Sequence, residues 1–97
     1  MDKKWYYTYV LYSLKDFKLY IGFSTDLQKR LEKHNNGENT STACRRPLIF
    51  IFAEAFINEK DARSREKFFK TGRGREIIQK KLKNTFIELD KKYKNNK

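Results

Sequence analysis

The feature that most restricts how this chain can fold is an eight-residue run, Trp5-Tyr6-Tyr7-Thr8-Tyr9-Val10-Leu11-Tyr12, in which every residue is aromatic, β-branched or leucine. Such side chains pack well on a pleated surface and many lose χ1 freedom in a helix, so residues 5–12 are expected to form a strand. A short turn at Ser13-Leu14-Lys15-Asp16 leads into Phe17–Gly22, where Phe17, Leu19 and Ile21 alternate with Lys18, Tyr20 and Gly22. That period of two gives the segment two faces and predicts an antiparallel hairpin. No Asn-Gly or Asp-Gly pair sets its register. A third apolar run, Leu48–Phe56, is almost continuous. It predicts a strand buried on both faces, hence central, with helices on either side.

Helical signals fill the gaps. Ser24-Thr25 supply an N-cap, with Gln28 at the capping-box position, for a helix over about Asp26–Asn35 that stops at Gly37. Leu27 and Leu31 form its apolar stripe, and Arg30 and His34 lie together beside it as a two-cation edge. Residues 37–47 read as a polar surface loop. Asn58 caps a second helix through about Lys70, with Ala62 and Phe69 facing inward next to Arg65 and Phe68. Gly72-Arg73-Gly74-Arg75 reads as a basic turn before a third helix over about Arg75–Lys83. Phe86, Ile87 and Leu89 are expected to pack back on the core. One domain over residues 1–89 follows, with a basic flexible tail at 90–97.

The 23 Lys and Arg against 12 Asp and Glu give a net charge of +11, which favours a polyanionic partner, nucleic acid before an anionic membrane. No apolar stretch reaches the length of a membrane span and no signal peptide is visible, so a cytosolic protein is expected. Cys44 is the only cysteine and His34 the only histidine. A disulfide within the chain and a cysteine or multi-histidine metal cluster are thereby excluded. A bound metal would need oxygen ligands, which suits Mg²⁺ or Mn²⁺.

Several side chains have two readings. Tyr9 and Tyr20 are either cross-strand packing partners or two phenols converging beside a scissile phosphate. Arg30 suits bidentate contact with a phosphate, and His34 could bind one or relay a proton. Glu66 falls on or beside an apolar helix stripe, where a carboxylate needs a partner. The partner is either a helical neighbour, Lys70 or Arg63, or a metal ion. Arg45, Arg46, Arg73 and Arg75, with Lys80, Lys81, Lys83 and the tail, could line a phosphate track that reads backbone and not bases.

Taken in order, these residues resemble the GIY-YIG nuclease domain over residues 5–83. The likeness is to its small stand-alone bacterial members, related to the nuclease module of the excision-repair endonuclease subunit. Tyr7-Thr8-Tyr9 stands where the family has Gly-Ile-Tyr, and Tyr20-Ile21-Gly22 matches the second tripeptide in full. Arg30 within Leu27-Gln28-Lys29-Arg30-Leu31 stands at the family's arginine, with His34 following as in many members. Glu66 within Ala62-Arg63-Ser64-Arg65-Glu66-Lys67 stands at its metal-binding glutamate, and Lys70–Arg75 looks like the short stand-alone version. The resemblance implies an α/β (α+β) fold, a three-stranded antiparallel sheet flanked by helices. It also implies hydrolysis of DNA phosphodiesters with one Mg²⁺ or Mn²⁺, in DNA repair or processing. Tyr9, Tyr20, Arg30 and His34 would be catalytic and Glu66 would hold the metal. Phe23 departs from the pattern, since several members have lysine there, and no counterpart of the asparagine carried after the glutamate by longer members is visible. The rival reading is a non-catalytic module that binds DNA or RNA in the same basic cleft. A protein targeting partner is left open.

Overall fold

Backbone pairing puts the aromatic run at the centre of the molecule. The computed structural model describes residues 4–94. Its elements are β1 (Tyr6–Ser13), β2 (Leu19–Ser24), α1 (Leu27–Asn35), a 3₁₀ turn (Ala43–Arg45), β3 (Leu48–Phe56), α2 (Glu59–Phe69), α3 (Gly72–Lys81), α4 (Lys83–Leu89) and a π-helical turn (Asp90–Lys94). The sheet is antiparallel with order β2-β1-β3. Helices on both sides of three antiparallel strands make the α+β architecture expected from the sequence.

The central strand is β1, which corrects the expectation that Leu48–Phe56 is central. All of Thr8 to Ser13 is buried, whereas β3 is an edge strand that exposes Ala53 and Ala55. A continuous apolar run reports covered faces and says nothing about whether both edges are paired. On one face, Tyr9, Leu11 and Leu48 form a core with Tyr20, Phe50 and the α1 residues Leu27 and Leu31. On the other, Val10, Ile21, Phe69 and Ile78 pack with Phe52, Phe68, Leu82 and Phe86. There the Thr8 hydroxyl donates to the Ala62 carbonyl at 2.6 Å and ties α2 to the sheet.

The second strand starts two residues later than expected because the turn is longer. Phe17 takes a left-handed conformation (φ 60°). The Ser13 hydroxyl accepts from the amides of Lys15 and Asp16, and the Asp16 carboxylate accepts from that of Lys18. This side-chain scaffold replaces the missing Asn-Gly signal.

Local capping explains the helix limits. Asp26, not Ser24 or Thr25, is the N-cap of α1, its carboxylate accepting from the Lys29 amide at 3.0 Å. Gly37 (φ 78°) ends it in a Schellman turn, with Gly37 N–H to the His34 carbonyl and Glu38 N–H to that of Lys33. Asn58 caps α2 as expected. Thr71 caps α3, accepting from the Gly74 amide, so Gly72-Arg73-Gly74-Arg75 is the first turn of that helix and not a connecting turn. Two glycines disfavour a helix, but a Cβ at Gly74 would collide with the backbone of Phe68 and Phe69. The close α2–α3 approach requires glycine there. Phe86 and Leu89 do pack inward while Ile87 is exposed. Residues 95–97 of the expected tail lie outside the described residues. Among the described residues no helix is long and apolar enough to cross a membrane.

Candidate active site

The site is built on one sheet position. Gly22 of β2 lies directly opposite Tyr9 of β1. The Tyr9 ring lies over it: a Cβ at Gly22 would be 2.5 Å from Tyr9 Cζ, and closer still to the hydroxyl oxygen. The absent side chain is thus a seat for the ring. Phe50 meets that ring edge-on at 5.5 Å and Tyr20 at a tilt at 6.4 Å, so its orientation is held from both sides.

Seated this way, Tyr9 Oη reaches His34 Nε2 at 3.0 Å, and both residues are buried. His34 Nδ1 is 2.7 Å from Thr42 Oγ1, which in turn bonds the Asn39 carbonyl at 3.4 Å. With the Thr42 hydroxyl proton on that carbonyl, the Thr42 oxygen is left to accept from His34 Nδ1–H. The Nε2 lone pair then accepts from the Tyr9 hydroxyl. Tyr20 stacks edge-on against the imidazole at 4.9 Å, and its half-exposed hydroxyl accepts from Asn39 Nδ2 at 3.5 Å. Asn35 steadies the helix that carries the histidine, its amide group donating to the Leu48 carbonyl and accepting from the Leu48 N–H.

Electrostatics link the rest of the set to the Tyr9 phenol. Burial pushes that phenol far above its ordinary value, and Tyr20 and Glu66 push it further while Arg30 opposes them. Burial, aided by Arg30, lowers His34 below its ordinary 6.5, so the imidazole is neutral at pH 7. The expected two-cation edge of α1 is therefore one cation, Arg30, beside a buried neutral base. Arg30, Lys33, His34, Glu38 and Asn39 line a pocket of about 250 Å³. A second, of about 140 Å³, shares Arg30 and Lys33 and adds Ser24, Thr25, Asp26 and Lys29. Glu66 receives a salt bridge from Lys70 at 3.0 Å and keeps 20% of its side chain exposed. Among the described residues no three His, Cys, Asp or Glu side chains cluster to hold a metal. Phe23, the departure from the family's lysine, lies under the Arg63 guanidinium at 4.0 Å.

The basic residues divide. Arg45 donates to the Asp16 carboxylate at 2.8 Å and to the Leu19 carbonyl at 3.1 Å, clipping the hairpin turn. Arg46 is exposed and donates to the Ala43 carbonyl. Arg73 and Arg75 are exposed on α3, which packs on the opposite face of the sheet from α1. Reading the sequence missed Thr42 and Asn39, which orient the histidine and meet the second phenol. Both stand in a stretch whose polarity reads as solvated loop, and nothing in its composition marks Thr42 as fully buried.

Known proteins resemble this chain over most of its length. The family model described as the GIY-YIG catalytic domain matches residues 5–86. A UPF0213 protein of Bacillus pumilus is 42% identical over 73% of this chain and 72% of its own. The UPF0213 protein YazA of Bacillus subtilis is 35% identical over 91% of this chain and 83% of its own. A UPF0213 protein of Staphylococcus saprophyticus is 40% identical over 73% and 84%. No solved structure matches.

Proposed function

The chain belongs to the GIY-YIG family of nuclease domains, and from that premise and the site's geometry we propose that it is an endonuclease hydrolysing DNA phosphodiesters with a divalent cation. The observation that carries this reading is the buried Tyr9–His34–Thr42 hydrogen-bond chain, with Arg30 and Glu66 bearing on the same phenol. Packing alone would be served by phenylalanine at position 9. A neutral imidazole aimed at a phenol suits proton transfer.

Neutral Tyr9 is a poor base, because its burial disfavours the phenolate. The relay avoids that species: as Tyr9 takes a proton from the attacking water, its own proton passes to His34 Nε2. His34 gains a positive charge, and the Thr42 oxygen stabilises it at Nδ1. Tyr20, half exposed beside the His34 ring, orients the water or a phosphate oxygen. Arg30 meets the negative charge that develops on the phosphoryl oxygens. The donor set fits a hard cation bound weakly through Glu66, with substrate and water as its other ligands. When bound, Mg²⁺ or Mn²⁺ would supply charge to the phosphoryl oxygen and the departing alkoxide. Lys29 and Lys33 beside Arg30 would contact backbone phosphates, which favours little sequence preference. DNA over RNA, and a cytoplasmic setting in DNA processing, belong to the same proposal.

The test is cleavage of labelled duplex, branched and single-stranded DNA with Mg²⁺ or Mn²⁺, with Glu66→Ala in parallel. Native protein is expected to cut and the variant to bind without cutting. Undiminished cutting by pure Glu66→Ala would sink the assignment of the metal ligand. Binding by native protein without cutting would favour a non-catalytic nucleic-acid module.

A further inference from the structure

Of the four tyrosines in β1, three have aromatic partners: Tyr6 with Phe23, Tyr9 with Phe50 and Tyr20, and Tyr12 with Phe17 and Phe86. Tyr7 is the exception. Among the described residues none stacks on its ring or hydrogen-bonds its hydroxyl.

Strand alternation puts Tyr7 on the same sheet face as Tyr9, about 7 Å along β1. Its cross-strand partners are Ser24 and Ala55, as those of Tyr9 are Gly22 and Ala53. The apolar residues of α1 cover the Leu11, Leu48 and Phe50 end of this face, while Ala53 and Ala55 remain exposed. A half-exposed phenol ring therefore stands between buried Ser24 and exposed Ala55, uncovered on the β3 side and two residues along the strand from Tyr9. Trp5, the next residue on that side by alternation, is 44% exposed. Ser24, in the same cross-strand row as Tyr7, also lines the pocket of Lys29, Arg30 and Lys33.

We propose that Tyr7 is a substrate-positioning residue whose ring stacks on the nucleobase next to the cleaved phosphate. The inference rests on the nuclease reading above. The chemistry of the face favours this occupant. An aromatic platform bordered by cations fits a nucleic-acid strand, whose bases stack while its phosphates meet Lys29, Arg30 and Lys33. A protein partner would need a broad apolar patch, and alanines supply little apolar area. The charge of +11 opposes a second copy of the chain.

The test compares native protein, Tyr7→Ala, Tyr7→Phe and Ala55→Glu on an oligonucleotide and on versions with an abasic residue at each position flanking the cut. Tyr7→Ala is expected to raise KM roughly tenfold with kcat within about twofold, and Tyr7→Phe to restore KM. One abasic position should raise the KM of native protein by a similar factor and add nothing to Tyr7→Ala. Ala55→Glu changes an exposed residue, so folding is spared, and its carboxylate should raise KM as well. If Tyr7→Ala does not fold, Tyr7→Leu takes its place, keeping bulk without the ring. The same coupling is read in binding by anisotropy in the Glu66→Ala background. Coupling in binding with no cutting by native protein would end the nuclease reading and leave the Tyr7 platform standing. Cutting with abasic effects equal in native and Tyr7→Ala proteins would overturn the platform alone.

Discussion

Gly22→Ala tests whether the seat under Tyr9 holds the site together. Gly22 does not need glycine's backbone freedom, since Gly37 is the glycine with positive φ. It needs space, because an added Cβ would lie 2.5 Å from Tyr9 Cζ and 3.0 Å from Cε2. Tyr9 is 1% exposed and walled by Phe50, so the ring cannot swing into solvent. Overpacking of this kind costs about 2 kcal/mol. Pulling Tyr9 Oη off His34 leaves two buried polar groups without partners, for about 2 kcal/mol more. The lower entropy of the unfolded alanine chain offsets about 1 kcal/mol. The net is a loss of about 3 kcal/mol, or a fall in Tm of roughly 12–24 °C for a domain of this size. In a Tyr9→Phe background the hydrogen bond is already gone, so the same change should cost only about 1 kcal/mol. Urea denaturation of the native protein, both single variants and the double variant measures this coupling. A Gly22→Ala protein of native stability that fails to cut would show that the glycine makes room for substrate, and the seat argument would be wrong. Equal costs in the two backgrounds would refute the hydrogen-bond part.

Two further outcomes follow from the geometry. His34 is held below 6.5 by burial, so between that value and its lower native value the unfolded chain binds a proton that the folded one refuses. Stability should be level above pH 6.5 and fall below it by up to about 1.4 kcal/mol per pH unit. His34→Gln should remove that slope just below pH 6.5, as followed by denaturation; an unchanged slope would place the titrating group elsewhere. Arg45 is clipped to Asp16 and Leu19, so Arg45→Ala should lower stability by about 2 kcal/mol and leave oligonucleotide affinity unchanged. Arg30→Ala should instead weaken binding and reduce its log–log salt slope by about 1, and a loss of affinity in Arg45→Ala would return Arg45 to the phosphate track.

Local chemistry was readable without any structure. Asn58 announces α2 because its side chain bonds an amide two residues on, and Leu48–Phe56 announces β3 because apolar residues are interrupted there only by Glu54. Tyr9, Tyr20, Arg30, His34 and Glu66 stand out as residue types in a telling order. What they do to one another was not readable. The Tyr9–His34 bond spans 25 residues and the Thr8–Ala62 bond 54, and no periodicity records which buried hydroxyl meets which ring nitrogen. Edge or centre for β3 was settled by β1 arriving alongside, helix at Gly72–Arg75 by the Thr71 cap and the close packing on the end of α2, and burial of Thr42 by its bond to the His34 ring. Capping and alternation act within a few residues, so the chain by itself marked most of its strands and helices and five residues of the proposed site. Strand pairing and close packing act across the whole chain, so only the tertiary structure decided that one phenol is buried against a neutral imidazole while another stands open on the sheet.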